Sequence, residues 1–192
     1  MDLLMNDKRT EKFVTNVGLI TSSGPYGPNI MAAEWTHHIS YAPSLMMVCI
    51  GANDATYANI KERREFGISL AAVDQSSLVS IAGNNSGKKV DKIKILQEIG
   101  VKFYQAGTID ALMVSGATLN VECKLKEYIE LGDHPLFIGE VTALSAIEQQ
   151  PLIYHMGKYW QIGEKIQKPD EVVLARFASV IEKHKKKDIN NL

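Results

Sequence analysis

Three short stretches carry residues suited to gripping a flat, phosphorylated ligand. In NNSGKKVDK, residues 84–87 make a polar turn, and Ser86, Lys88, Lys89 and Lys92 cluster at that turn and at the start of the helix that follows. Hydroxyl and ammonium donors placed like this suit an anion, and each charge-assisted hydrogen bond to a phosphate contributes roughly 1.5–3 kcal/mol. In NDATYANIKERRE a short helix, capped by Asp54 or Thr56, begins where a strand ends. The unpaired N–H groups of its first turn then face the sheet's edge, with the Thr56 hydroxyl as a further donor. In NIMAAEWTHHISYAP, residues 29–43, Ala32 and Ala33 leave the backbone approachable, and Thr36 and Ser40 add hydroxyls for the polar edge of a flat ring. A solvated basic turn and an edge strand ending in a loop account for the same residues in purely structural terms.

None of this is a self-contained catalytic apparatus. There is no Gly-rich dinucleotide fingerprint after the first strand, no Walker sequence, no GxSxG elbow and no HExxH helix. His37 and His38 are adjacent on a strand and face opposite ways, so no metal site is expected from them. If the chain is an enzyme, a cofactor does the chemistry.

The elements that must position these stretches follow from periodicity. A β-branched run over residues 14–22 ends in SSGPYGPN, whose glycines and prolines force a turn before the alternating stretch at 29. LMMVCI and residues 66–71 read as further strands, and DQSSLVSIAG as a helix capped by Asp74 with Leu78, Val79 and Ala82 on one face. TLNVECKLKEYIEL alternates over its whole length, a strand with one wet face and a bulge expected near Glu127. Gly132-Asp133 turns it into HPLFIGEVTALSAI, apolar on both faces. A long bent antiparallel pair with a shorter meander upstream curls into a small barrel. PLIYHMGKYWQIG makes a last tight hairpin, with His155 and Tyr159 beside its turn. A C-terminal helix is expected at about 169–187, carrying Val173, Phe177, Val180 and Ile181 on one side, before a charged tail.

With 192 residues, 45% hydrophobic and 22% charged, the chain has the balance of one globular domain spanning 1–192. Its 21 basic and 22 acidic residues leave a net charge of −1, so no global field draws in nucleic acid or an anionic membrane. The two cysteines, Cys49 and Cys123, lie in apolar runs without zinc or disulfide spacing and read as buried thiols of a reducing compartment. No apolar signal core and no run of about 18 apolar residues is present, so a cytoplasmic location is expected.

Taken in order, NIMAAEWTHHISYAPSLMMVCI, Thr56 with Asn59-Ile60, EFGISL, SGKKVDK, HPLFIGEV and PLIYHMGKYWQIG resemble the flavin reductase-like, FMN-binding split-barrel family, which includes ferric reductases and flavoredoxins. The resemblance covers about 14–163 and implies a mainly β fold, a six-stranded antiparallel split β-barrel of Greek-key type with peripheral α-helices. It also implies a homodimer with FMN near the subunit interface. By position, Ala33, Glu34, Trp35 and Thr36 would line the isoalloxazine, largely through backbone groups. Ile50, Gly51, Asn53 and Thr56 would follow the ribityl chain and phosphate, and Ser86, Gly87 and Lys92 would bind the phosphate. His134 would lie close to the flavin, and His155 and Tyr159 would be the catalytic candidates beside flavin or nicotinamide. Glu34 and Trp35 depart from the smaller polar or aromatic residues of many relatives. The implied activity is hydride transfer from NADH or NADPH to FMN, with a small-molecule acceptor or a redox partner protein downstream. A flavoredoxin-like electron carrier shares every FMN residue. A nucleic-acid-binding barrel does not fit the near-neutral charge or the lack of an aromatic row on one strand face.

Overall fold

The computed structural model describes residues 7–186. Lys187, the expected last residue of the C-terminal helix, and the remainder of the charged tail lie outside the described residues. The chain divides into two compact units, Met1–Ile162 and Gly163–Leu192.

In the first unit the strands are β1 (Thr15–Asn16), β2 (Gly18–Ser22), β3 (Asn29–Ala33), β4 (Thr36–Tyr41) and β5 (Ser44–Cys49). Helix α1 (Ala55–Arg63) and strand β6 (Glu65–Leu70) follow, then helices α2 (Ser76–Asn84) and α3 (Lys92–Glu98). The remaining strands are β7 (Phe103–Gln105), β8 (Leu112–Val114), β9 (Leu119–Ile129), β10 (Leu136–Ala146), β11 (Ile153–His155) and β12 (Lys158–Trp160). The main sheet is antiparallel and runs β3-β2-β6-β9-β10-β5-β4, a curled, open split barrel with helices at its periphery. It has seven strands where the resemblance implies six. The stretch 29–43, expected as one strand running into a loop, forms two, because the chain turns at Glu34-Trp35 and pairs again with β5.

Alternation along the strands sorts side chains into two cores. Leu19 and Ile30 join Leu78, Val79, Ala82, Ile93 and Leu96 of α2 and α3 on one side of the sheet. Ile20, next in sequence to Leu19, joins Val48, Ile50, Phe66, Ile68, Cys123 and Phe137 on the other. The first core fixes α2 and α3 over β3, and thereby sets the loop between them beside the start of α1.

The long β9–β10 pair bulges where expected, Glu127 pairing with Ile138 while the next pair is Leu125 with Gly139, so that Lys126 is the extra residue. The wet face expected along β9 is half dry. Asn120 and Glu122 are buried under the β7–β8 hairpin. Ser69 donates to Asn120, whose amide donates to the Val114 carbonyl, and Glu122 accepts from the Gly107 and Thr108 amides and the Thr108 hydroxyl. Nor is β10 apolar on both faces throughout: it is exposed from Leu144 onward.

In the second unit α4 (Glu171–Lys183) starts at Asp170, whose carboxylate caps the Val173 amide at 2.9 Å. Val173, Phe177, Val180 and Ile181 leave much of their surface exposed.

Candidate functional site

The two anion-suited spots converge on one small cavity of about 120 Å³. Its walls are Asn29, Met31 and Ala32 of β3, the start of α1 at Asp54–Thr56, the end of α2 at Ala82 and Gly83, the loop residues Asn85–Gly87, and Lys92 at the first turn of α3. The amides of the first turn of α1 have no intrahelical acceptor and sit at this wall. Asn29 Nδ2 donates to Thr56 Oγ1 at 2.8 Å, which leaves the Thr56 proton free to be donated onward. Gly87 passes so close to Asn29 that a Cβ there would collide with the Asn29 amide, so the loop reaches its position only with glycine.

Lys92 is only 2% exposed, and its Nζ donates to the Ala82 carbonyl at 2.9 Å, leaving two more ammonium donors. Burial pushes its pKa down to about 8, with the Asp54 carboxylate pulling partly the other way. The cavity thus pairs one acid with one base. An anion held here depends on amide and hydroxyl donors as well as on charge.

A second, larger cavity of about 550 Å³ lies at the other end of the same strand. Trp35, Met47, Leu152 and Ile153 give it apolar walls, with Asn16, Glu34 and Cys49 interspersed. Asn16 Nδ2 donates to the Thr36 carbonyl at 2.8 Å, and its buried Oδ1 has no partner among the described residues. Burial raises the pKa of both Glu34 and Cys49, so each holds its proton more firmly than in water. His134 meets Trp35 edge-on at 4.9 Å, with its Nε2 3.8 Å from where a Gly51 Cβ would stand and its Nδ1 hydrogen-bonded to Asp133 at 2.9 Å. Met31 and Ala32 line the small polar cavity and residues 34–36 the large apolar one, so six consecutive residues connect the two. The donor set at one end and the apolar hollow at the other fit a phosphorylated ring compound.

The flavin reductase like domain profile matches residues 10–163 of the chain. The chain belongs to this flavin reductase-like family. A relative in Archaeoglobus fulgidus, itself uncharacterised, is 31% identical over 119 residues, 62% of this chain and 66% of that protein's length. An NADH-dependent FAD reductase of Streptomyces globisporus is 25% identical over 149 residues, covering 77% and 79% of the two chains. Flavoredoxin from Methanosarcina acetivorans superposes with a TM-score of 0.76 at 21% identity, over 92% of this chain and 99% of that one, a likeness of fold.

Against the family pattern the expected site residues divide clearly. Thr56, Ser86, Gly87 and Lys92 share the small cavity, and Glu34, Trp35 and Thr36 line the large one. Ala33 is buried between them, while His134 adjoins Trp35 and Gly51 adjoins His134. Ile50 puts its side chain in the barrel core, and Asn53 is exposed and lines neither cavity. His155 and Tyr159 stand on the β11–β12 hairpin, which reaches the large cavity through Ile153 instead. There the His155 Nδ1–H donates to the Phe13 carbonyl at 3.2 Å, and Tyr159 packs on Tyr154 with ring centres 5.8 Å apart. Sequence reasoning passed over Asn29, Asn85, Asn16, Met47 and Cys49 as lining residues. Of these only Asn29, a polar residue opening an otherwise apolar strand, left a readable trace. Among the described residues no three His, Cys, Asp or Glu side chains gather as a metal site, and none of the helices is long and apolar enough to cross a membrane.

Proposed function

We propose that this chain binds FMN across the two cavities and accepts hydride from NADH or NADPH, passing electrons on to a small-molecule acceptor or a redox partner protein. The observation that carries the reading is the strand end 31–36, which joins an anion-sized polar cavity to an apolar hollow large enough for a ring system. A bound flavin supplies the redox chemistry, taking two electrons as hydride and releasing them singly or in pairs. The residues do the rest. Lys92 Nζ, the Thr56 and Ser86 hydroxyls and the first amides of α1 hold the phosphate. Backbone groups of 33–36 address the ring's polar edge, and Trp35, Met47, Leu152 and Ile153 keep water from its face. Glu34, whose carboxyl burial makes harder to ionise than in water, stands at the rim of the same hollow. His134 braces Trp35, and His155 and Tyr159 stand on the hairpin where a nicotinamide would enter. We place the FMN site near the contact of a homodimer, because Trp35, Ile39 and Tyr41 leave an apolar edge exposed on and beside β4.

Anaerobic titration of the FMN-loaded protein with each nicotinamide tests this. Loss of the flavin's visible absorbance is expected. Failure to bind FMN would overturn the reading, and FMN that binds but is reduced by neither nicotinamide would identify an electron carrier. Replacing Ser86 and Lys92 together by Ala is expected to weaken FMN far more than riboflavin, which lacks the phosphate; equal loss for both would place the phosphate elsewhere.

A further inference from the structure

The lysine of the small cavity is buried without a counter-charge at hand. Lys92 is 2% exposed, and no carboxylate among the described residues stands at ion-pair distance from it, Asp54 acting on it only from farther off. Its stem leaves the first turn of α3, and its Nζ donates to the Ala82 carbonyl near the end of α2 at 2.9 Å. The nitrogen is therefore held at both ends. Anion donors share the wall with it: the first amides of α1, the Thr56 hydroxyl, which accepts from Asn29 Nδ2 and keeps its own proton to give, and the Ser86 hydroxyl, which accepts from the Lys88 amide and does the same. The hollow of about 120 Å³ has room for a three-atom electrophile beside the amine. Gly83, Asn85 and Ser86 are exposed and leave it an open side.

We propose that Lys92 is a carbon dioxide site: its Nζ adds to CO2, and the carbamate so formed takes the donors that otherwise hold a phosphate. The lone pair of the neutral amine attacks the carbon, a nitrogen–carbon bond forms as one carbon–oxygen π bond opens onto oxygen, and the surplus proton on nitrogen leaves to water through the open side. Burial favours the neutral amine that this step needs, holding the pKa down to about 8. Carbon dioxide suits the hollow because it arrives uncharged and becomes an anion where hydroxyl and amide donors stand. The Asp54 carboxylate at the same wall opposes the new charge, but it is exposed to water, which screens it. The carbamate replaces a cation by an anion, so it and a phosphorylated coenzyme exclude each other. That exclusion rests on the flavin reading above; the modification itself does not.

The experiment equilibrates the full chain with isotope-labelled bicarbonate and its dissolved CO2, alkylates any carbamate with triethyloxonium ion, and locates the label by peptide mass spectrometry. At about pH 7.5 the neutral fraction of Lys92 exceeds that of an ordinary lysine roughly two-hundredfold, so Lys92 should trap at least about tenfold more label than the exposed Lys88, Lys89 or Lys94. Saturating orthophosphate, and separately FMN, should each remove the label. Absence of label at Lys92, or label no greater than at the exposed lysines, would overturn the carbamate, and FMN binding in the same protein would leave the flavin reading standing. Label that survives saturating orthophosphate would also overturn it, since the two are to share one set of donors. Label removed by orthophosphate in a protein that binds no FMN would uphold the carbamate and overturn the flavin reading instead.

Discussion

Lys92 is the residue on which the proposed phosphate site turns, and its burial has a readable pH consequence. The free ammonium titrates near pH 8 instead of the ordinary 10.5, and a phosphate needs it charged. FMN affinity should therefore be steady below pH 8 and fall above it, approaching tenfold per pH unit, while riboflavin affinity stays flat. Parallel slopes for the two flavins would remove Lys92 from the site. Stability runs the other way. With a folded pKa below the unfolded one, the unfolded chain binds more protons between about 8 and 10.5, so Lys92 costs stability in full below pH 8 and the cost fades as pH rises through that window. The stability of wild type relative to Lys92→Met should accordingly move in the wild type's favour from pH 8 to 10.5. At this scale residue type was informative: Thr56, Ser86 and Lys92 stood out as anion donors from their neighbours alone. That they face one another was hidden, because a chain order of 29, 56, 86 and 92 says nothing about which turns meet. Asn29 left the trace of a polar residue opening an apolar strand, but its role shows only once its Nδ2 is seen on Thr56.

Among the elements, the β7–β8 hairpin shows how a covering piece rewrites a pattern. Alternation located β9 and its bulge well, yet it assigned Asn120 and Glu122 to solvent, because period two reports which side a residue faces and not what lies on that side. The hairpin is pinned there by Glu122. Burial alone would raise that carboxyl's pKa, but the hydrogen bonds from Thr108 and Gly107 outweigh it and hold the group below the ordinary carboxylate range. A depressed folded pKa means a contribution present above the unfolded value and lost as pH falls through the folded one, so the hairpin should loosen in acid first. Glu122→Ala is expected to cost about 1–3 kcal/mol. Hydrogen exchange should then quicken at Gly107 and Thr108 while β6 stays protected, and uniform exchange across both would show that the carboxylate does not act locally.

For the molecule as a whole, the long bent antiparallel pair and the family resemblance led correctly to a mainly β split barrel, in which the alternating Leu19 and Ile20 feed two cores on either side of one sheet. The seventh strand came from β4, whose pairing with β5 depends on the turn at Glu34-Trp35 and not on any local preference of His37 or His38. That strand also gives the test of assembly. Sedimentation should find a species of twice the 21.3 kDa chain, and Ile39→Asp with Tyr41→Asp should halve it with the fold retained. A wild-type monomer at micromolar concentration would remove the homodimer from the proposal.

The small cavity draws its walls from four separated parts of the chain, closing around a buried lysine that already ties α3 to the end of α2. A dianion bound there, as proposed, would act as a fastener between these pieces. Orthophosphate, with no ring at all, should then raise the melting temperature by mass action, so that coenzyme shortage in a cell would shorten the lifetime of the polypeptide before it ever limited turnover.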